Sequence, residues 1–582
     1  MAETVLDDEQ AKVASAPSSD RYVVLASPGS GKTEVVGARV AELLDQGVDP
    51  NRLLVVSFSR AAVHAVRERQ RKAGTDQWVW VSTLDSLATR FLTDAGIDVS
   101  NRSYDARITL FNGALETGRL ENVIPDLEHI IVDEFQDIVG LRRSMLRRLL
   151  ESLDPSCGFT VLGDEDQGIY DFQLQSGDPS GTAADDLLTT CRTLGAQTVR
   201  LTRQYRAESR DSRTASQLAP GGCDPDEWWN QAEMFMVNLV QLDDLDAVNT
   251  ELAKAEAGGE SAVVLCFSNA EALDVTSRLQ EKGCPVSLYP PSPQRPLASW
   301  IANVLADGRP MIAKDAFIQI WESGNVEGDP ESAWRTLRRT TRSTTKYLDV
   351  HELSMRLASG YVPAALEASL PRLGVSTVHR AKGLEFDVVI LVDPMSWSHR
   401  NDSDSSADSR RVLYVALTRS RSMIRIANLR RGRWFRDSGS QRIVRRKNGG
   451  LTGFELRPSD MTTMVVGGGL EAAQSLQRWL SAWDGVPRPV EWVVSPQKST
   501  LQYPIYEAFV DGVPVGATTE EFGTILARYI GRTDRWVPLE GGHMFGIQTI
   551  AGPVQNGPVG KNGLWLVPLI GGALTLRWDQ IR

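Results

Sequence analysis

This 582-residue chain is poor in the residues that build metal centres and disulfide frameworks. Its five cysteines, Cys157, Cys191, Cys223, Cys266 and Cys284, are scattered without a Cys-x-x-Cys pair. That argues against a zinc ribbon, an iron–sulfur cluster or a disulfide scaffold. Histidine is scarce too, at six residues, and neither His379 nor His543 has metal-ligand spacing. No apolar run is long enough to span a bilayer. The start, Met1-Ala2-Glu3 with Asp7, Asp8 and Glu9, lacks the basic and apolar parts of a signal peptide. A cytoplasmic protein with no membrane partner is the expectation. No Asp…Glu-x-Lys set follows a strand, so nuclease chemistry is not expected. The net charge of −11 is not that of a nucleic-acid binder on average. A groove needs only a local field, however, and basic residues cluster at 335–346 and again at 410–447. What is present is an ordinary globular composition, 42% apolar and 24% charged. The length predicts about three to five compact units.

The most informative stretch is Ala26-Ser27-Pro28-Gly29-Ser30-Gly31-Lys32-Thr33. The apolar run Tyr22-Val23-Val24-Leu25 leads into it as a buried strand, and a helical pattern (Val35, Val36, Val40, Leu43) follows. A Gly-rich turn between strand and helix is the context of a phosphate-binding loop, although the generic pattern has Gly at the place of Ala26. Gly29 and Gly31 let backbone N–H groups approach phosphate oxygens, and the helix N-terminus adds partial positive charge. Lys32 reaches the β- and γ-phosphates in such a loop, and Thr33 holds Mg²⁺. ATP with Mg²⁺ is the predicted ligand pair.

A second apolar strand ends in Val132-Asp133-Glu134-Phe135-Gln136-Asp137. Asp133 is the predicted Mg²⁺ partner and Glu134 the base that orients and deprotonates the attacking water. A third delivers Gly163-Asp164-Glu165-Asp166-Gln167, which places Gln167 to sense a γ-phosphate. Tyr170 and Phe172 follow, either as bases' stacking partners or as core. Strands at 52–59 and 78–83 alternate with helices, so a parallel sheet is expected, with ligands at its carboxyl ends. Phe58, Ser59 and Thr83 lie at such ends and suit contact with a nucleic-acid strand. Gln10, ahead of the loop, carries both a donor and an acceptor for an adenine edge, or is an ordinary surface residue.

These pieces, in this order, resemble superfamily 1 helicases of the UvrD/Rep type. The resemblance extends through Gln204-Tyr205-Arg206, Thr377-Val378-His379-Arg380-Ala381-Lys382-Gly383-Leu384-Glu385-Phe386 and Arg411-Val412-Leu413-Tyr414-Val415-Ala416-Leu417-Thr418-Arg419. Ala26 is usual in that family. The resemblance implies that Tyr205 stacks on adenine, Arg206 contacts the γ-phosphate and Glu385 lies near the ribose. It makes Arg419 an arginine finger, and Thr377 and His379 strand contacts. It places Arg206 and Arg419 on a different domain from Lys32, and its Asp-Glu-Phe-Gln-Asp form is that of the 3′→5′ branch. Four positions depart from the family pattern: Arg60, Asp85, Gln173 and Gln204. Asp85 and Gln173 bear on strand contact rather than on ATP chemistry.

The implied fold is α/β, with two RecA-like P-loop domains. The first covers 1–91 and 128–200, with a short helical insertion at 92–127. The second covers 201–290 and 371–429, with a reduced helical insertion at 291–370. Residues 430–582 have no counterpart in the resemblance. Their β-like runs, Gly and Trp, and the Asp511-Gly512 hairpin signal predict an α+β or barrel-like accessory domain. Trp492, Trp536, Trp565 and Trp578 are expected in its core. The implied activity is an ATP-dependent single-stranded DNA translocase and 3′→5′ helicase in repair or recombination, working at single strands and duplex junctions. The alternative is a nucleoprotein remodeller with little unwinding, acting through a protein partner bound by 430–582.

Overall fold

The structure is a computed structural model. It describes residues 6–57, 79–99, 102–121, 123–124, 126–169, 185–289, 296–306, 309–324, 326–341, 346–359, 362–369, 371–399, 409–430, 432–462, 469–531, 536–553 and 560–580. The chain divides into two compact units, residues 1–241 with 381–427, and residues 242–380 with 428–582.

In the first unit six parallel strands lie in the order Trp80–Ser82, Leu53–Ser57, His129–Asp133, Gly158–Gly163, Arg21–Ala26, Gln197–Leu201. Successive side chains on a strand point to opposite faces, and here both faces are covered. Val23, Leu25, Ile130, Val132 and Phe159 enter one apolar cluster, and Tyr22, Val24, Ala26, Ile131 and Leu162 the other. This is why these strands read as continuous apolar runs. Register sets Ser57 beside Asp133 and Leu25 beside Gly163, so the polar segments that follow emerge at one edge. The sheet is that of a RecA-like α/β fold. Helix Leu84–Asp94 runs across the expected boundary at residue 91, and Phe91, Ile108 and Phe111 join the core of the same sheet. The same unit holds the parallel pair Phe386–Val392 and Ser420–Ala427, with helix Ser409–Leu417 connecting them.

In the second unit strands Ala262–Cys266, Leu373–Thr377 and Ser287–Leu288 pair in parallel around the central 373–377 strand. Each unit thus holds parallel strands, as two RecA-like folds require. Residues 296–369 are mainly helical, with helices Ser299–Leu305, Lys314–Ser323, Pro330–Thr341 and Val350–Ala358. The C-terminal region is α+β. A six-stranded antiparallel sheet runs in the order Trp434–Arg436, Ile443–Lys447, Gly450–Leu456, Leu564–Leu576, Leu539–Ala551, Arg488–Pro489. A three-stranded sheet (491–494, 506–510, 513–517) and helices Gly469–Ser481 and Glu520–Ile530 complete it. The predicted hairpin is present, with Asp511 at φ 50° and Gly512 at φ 75°, the two positive angles of a type I′ turn.

One apolar core joins segments that the sequence separates at residue 430. Ile301, Phe317 and Leu353 pack in the same cluster as Phe454, Tyr506 and Ile570. Polar ties reinforce it: Thr549 Oγ1 donates to Ala298 O at 2.7 Å and accepts from Ala302 N at 3.1 Å. Trp565 is buried, and Trp492 and Trp536 pack on the core. Trp578 remains 37% exposed, its indole N–H donating to Leu451 O at 2.6 Å. Among the described residues no helix is long and apolar enough to cross a membrane.

Thr549→Val strands the Ala302 N–H in the core, while the Ala298 carbonyl keeps its bond from Ile301 N, and is expected to cost about 1–3 kcal/mol in urea unfolding. In the first unit His129 is fully buried, with Nδ1 2.6 Å from Ser18 O and Nε2 2.9 Å from Thr160 Oγ1. Burial, helped by Arg39, lowers its pKa to about 3. The unfolded chain therefore takes up a proton near pH 6.5 that the folded one refuses, and stability falls as pH drops from there towards 3. His129→Asn should be less stable than the parent at pH 7.5, with the gap narrowing at pH 5. A gap that stays constant between the two pH values would count against this assignment.

Candidate functional site

The loop after strand Arg21–Ala26 turns on Gly29 (φ 78°) and Gly31 (φ 84°). A side chain at Gly29 has no room, since a Cβ there would sit 2.1 Å from Gln204 Oε1 and 2.6 Å from Arg206 Cβ. Ser30 closes the turn by donating from Oγ to Ser27 O at 2.8 Å, and Lys32 Nζ donates to Ala26 O at 2.8 Å. Lys32 and Thr33 open the helix that ends at Asp45. Segment 202–206 is docked on this loop: Gln204 Nε2 donates to Pro28 O at 2.5 Å and Tyr205 N to Gly29 O at 2.9 Å. Gln204, where the family usually has Asn, thus holds the loop itself. Tyr205 is 45% exposed, and its hydroxyl donates to Asp7 Oδ2 at 2.6 Å. The Gln10 carboxamide closes a capping box with Asp7 and donates from Nε2 to Ser30 O at 3.1 Å. Gln10 is therefore a buried brace between helix and loop rather than a surface residue.

Asp133 ends the central strand, 2% exposed, with Oδ1 buried and without a hydrogen-bond partner. Burial, and next the Glu134 charge, push its carboxyl up to about 8 against the pull of Lys32. A buried acceptor that lacks a donor and stands beside Thr33's helix start fits a divalent cation, with Thr33 and Asp133 the residues to hold it. Glu134 has left-handed backbone (φ 54°, ψ 49°), a conformation costing about 1–3 kcal/mol in a non-glycine residue. Burial alone would raise its pKa, but Lys32, Lys382, the Gln136 bond and Arg419 together hold it low. It stays a carboxylate, the form a base requires.

A relay of hydrogen bonds starts at this carboxylate. Gln136 Nε2 donates to Glu134 Oε2 at 2.6 Å, and Gln136 Oε1 accepts from Asp164 N at 3.0 Å. Asp164 Oδ2 accepts from Gln167 Nε2 at 2.9 Å, and Gln167 Oε1 accepts from Arg419 Nη2 at 3.0 Å. Arg419 is 3% exposed and is further held by Val415 O and Leu384 O. Burial, with Arg206 nearby, lowers its pKa to about 10. Lys382 forms a buried ion pair with Asp137 and also donates to Gln167 O. Arg206 pairs with Glu385, whose other oxygen accepts from Arg421 Nε at 3.3 Å.

Lys32, Asp133, Glu134, Gln167, Arg206, Glu385 and Arg419 all lie in the first compact unit. Arg206 and Arg419 fall in the same compact unit as Lys32, and Arg419 reaches the strand ends through Gln167. Gln136, Asp137, Asp164 and Arg421 had no assigned chemistry in the sequence. The signal for the first three was a run of polar residues straight after buried strands. Asp85 is a structural residue: Arg142 Nη2 and Nε donate to its two oxygens at 2.8 and 3.1 Å, and Arg142 Nη1 to Asp105 at 3.0 Å. Thr83 caps helix 84–94 through its hydroxyl, which accepts from Ser86 N at 3.3 Å. Thr377 and His379 belong to the second unit, where Thr377 ends strand 373–377 and accepts from Arg380 N at 3.4 Å. Phe58, Ser59, Tyr170 and Phe172, like Arg60 and Gln173, lie outside the described residues.

Residues 6–120 and 104–178 match the UvrD/REP helicase N-terminal domain family, and residues 373–426 the UvrD-like helicase C-terminal domain family. The ATP-dependent DNA helicase PcrA of Staphylococcus aureus is 38% identical over 73 residues, 12% of this chain and 10% of that protein. The DNA helicase II of Rickettsia typhi is 27% identical over 144 residues, 23% of this chain and 22% of that protein. The chain thus spans less than a quarter of each of these relatives. The crystal structure of the Pif1 helicase from Candida albicans superposes with a TM-score of 0.38 at 14% identity, over 74% of this chain and 95% of that one. That likeness is too distant to argue from. Over residues 6–178 and 373–426 the chain is thus similar to helicases of the UvrD/Rep type.

Replacing Gln136 by Leu opens the relay at Glu134 and at Asp164 together. Turnover of bound ATP is expected to fall about 10- to 100-fold, the scale for losing an outer partner of a site residue. Nucleotide affinity, measured by titration with a fluorescent analogue, should be nearly unchanged. Equal losses in both would assign Gln136 to binding.

Proposed function

We propose that this chain is an ATP-dependent single-stranded DNA translocase and helicase that moves 3′→5′. The observation that carries the reading is the relay from Glu134 through Gln136, Asp164 and Gln167 to Arg419. It joins a strand-end carboxylate to a buried arginine on the same unit as the Gly29–Lys32 loop. Such an arrangement supports hydrolysis of a nucleoside triphosphate. Lys32, Arg206 and Arg419 are the cations for charge that builds on the γ-phosphoryl oxygens, and planar Arg suits that task. Glu134 orients the attacking water and takes its proton, with Gln136 fixing its rotamer. Gln167 lies between Asp164 and Arg419, so a change at the γ-phosphate is passed to both. Tyr205 and Gln10 frame the adenine and Glu385 the ribose. Thr33 and Asp133 would hold Mg²⁺, which would supply positive charge for the phosphate oxygens.

Binding of ATP competes with the Arg206–Glu385 pair, which couples nucleotide state to the 202–206 segment and to the strands after 385. Making and breaking of the Arg206–Glu385 pair with nucleotide state, with alternating grip on a DNA strand, gives directed movement. Thr83, Thr377, His379, Phe58, Ser59, Tyr170 and Phe172 are the proposed strand contacts. The 3′→5′ direction rests on the Asp133–Asp137 motif, and a cytoplasmic role in DNA repair or recombination is proposed on the family alone. A second reading, a nucleoprotein remodeller with little unwinding, draws on one observation. Residues 296–369 share a core with 432–580, so the helical insertion is built into a C-terminal region outside both family matches, a place for a protein partner.

The test is ATPase rate with and without single-stranded DNA, followed by unwinding of 3′-tailed and 5′-tailed duplexes. Stimulation with preference for the 3′ tail is expected. A DNA-independent rate would overturn the motor, stimulation without unwinding would favour the remodeller, and a 5′ preference would reverse the direction. Glu134→Gln should lower turnover by about 10²- to 10⁴-fold while retaining ATP. Lys32→Ala should lose both.

A further inference from the structure

The C-terminal sheet carries a concentration of positive charge that the site above does not use. Between Arg430 and Lys447 the chain has eight Arg and Lys side chains and one carboxylate, Asp437, against a net charge of −11 for the whole chain. In the structure these residues form the outer end of the six-stranded sheet. Edge strand Trp434–Arg436 pairs with Ile443–Lys447, which turns back through Asn448 (φ 52°) and Gly449 (φ 80°) into Gly450–Leu456. Two positive φ values in a two-residue loop make a type I′ turn, so the tip is a tight, ordered hairpin.

The carboxylates around this ribbon are already matched. Asp274 accepts from Arg278 at 3.2 Å, Glu455 from Arg457 at 2.6 Å and Asp460 from Arg442 at 2.6 Å, and Asp437 lies 3.9 Å from Arg446. Arg430, Arg433 and Lys447 are exposed and have no carboxylate partner among the described residues. Arg445 spends its charge on the Trp434 ring, 5.0 Å from its centroid, and on Thr575 Oγ1 at 3.2 Å. The Trp434 indole in turn lies across Gly453, where a Cβ would come within 2.6 Å of it. Trp434 is therefore covered on its sheet side and by Arg445. Phe435, 44% exposed, is left as the aromatic of this ribbon open to solvent.

We infer that this ribbon is a second nucleic-acid contact, one that grips the phosphate backbone of duplex DNA through Arg430, Arg433 and Lys447. The inference rests on the reading that the chain works on DNA. Charge complementarity selects a polyanion. Single-strand binders present successive exposed stacking aromatics, which this edge lacks among its described residues, whereas gripping a duplex backbone needs only cations aimed at phosphates.

The full chain carrying Arg430→Gln, Arg433→Gln and Lys447→Gln tests this, beside a charge-preserving control with Arg430→Lys, Arg433→Lys and Lys447→Arg. Binding is measured against salt for a blunt DNA duplex, its single strand and polyglutamate, with the unfolding midpoint checked for each variant. Loss of three phosphate contacts should flatten the log–log salt dependence of duplex affinity by about 2.7, and the control should restore it. Stimulation of ATPase by single-stranded DNA should persist in both variants. An unchanged duplex slope overturns the inference. So does a loss confined to the single strand, or one confined to polyglutamate, which would assign the ribbon to an acidic protein. A parent chain whose ATPase ignores single-stranded DNA, but whose duplex affinity still depends on the three cations, would remove the motor and leave the ribbon standing.

Discussion

Burying charge is costly unless every partner is in place, and this constraint governs the first unit. Asp133, Glu134, Asp137, Asp164, Lys382 and Arg419 converge where the parallel strands end, most of them almost without solvent contact. Two carboxamides make that tolerable. Gln136 and Gln167 each donate with one atom and accept with the other, so they join the Glu134 carboxylate to the Asp164 backbone N–H and the Asp164 carboxylate to the Arg419 guanidinium without adding charge. A lysine in either place would supply donors only, and a glutamate only acceptors. The relay fixes the side-chain rotamers of the residues that flank a bound triphosphate.

The loop at Gly29 shows the same dependence from the other side. Its backbone carbonyls at Pro28 and Gly29 are taken by Gln204 and Tyr205, and its Ser30 carbonyl by Gln10. The loop is clamped by segments far away in the chain, and its own sequence accounts only for the turn. Asp133 is the exception that marks the site. Its unpartnered oxygen and raised pKa fit a carboxylate that a cation would satisfy.

The second unit follows a different rule. Its helical insertion and its antiparallel sheets are held by one apolar core, with Thr549 satisfying backbone groups of the helix at 299–305. Sharing a core gives the helical insertion more apolar surface to bury than its own few helices supply. The outer ribbon of this body departs from the pattern: its cations outnumber its carboxylates, while Asp274, Glu455 and Asp460 beside it are already matched. Charge left unneutralised on an otherwise acidic chain is a cost that a polyanionic partner removes.

The sequence alone determined the short-range features. Strand runs buried on both faces, the Gly29–Lys32 turn and the Asp511-Gly512 hairpin depend on side-chain period and backbone freedom within a few residues, so they were legible. The strand-end placement of Asp133, Glu134 and Gln167 was legible too, because each comes straight after an apolar run. Only the tertiary structure decided how those residues are used. Gln10 became a cap and a brace, Asp85 a bidentate partner of Arg142, and Arg206 the partner of Glu385. It also merged the insertion with the C-terminal region across an expected boundary at residue 430. Partners of this kind lie tens to hundreds of residues apart, and a hydrogen bond is set by distances below about 3.2 Å that no local pattern encodes.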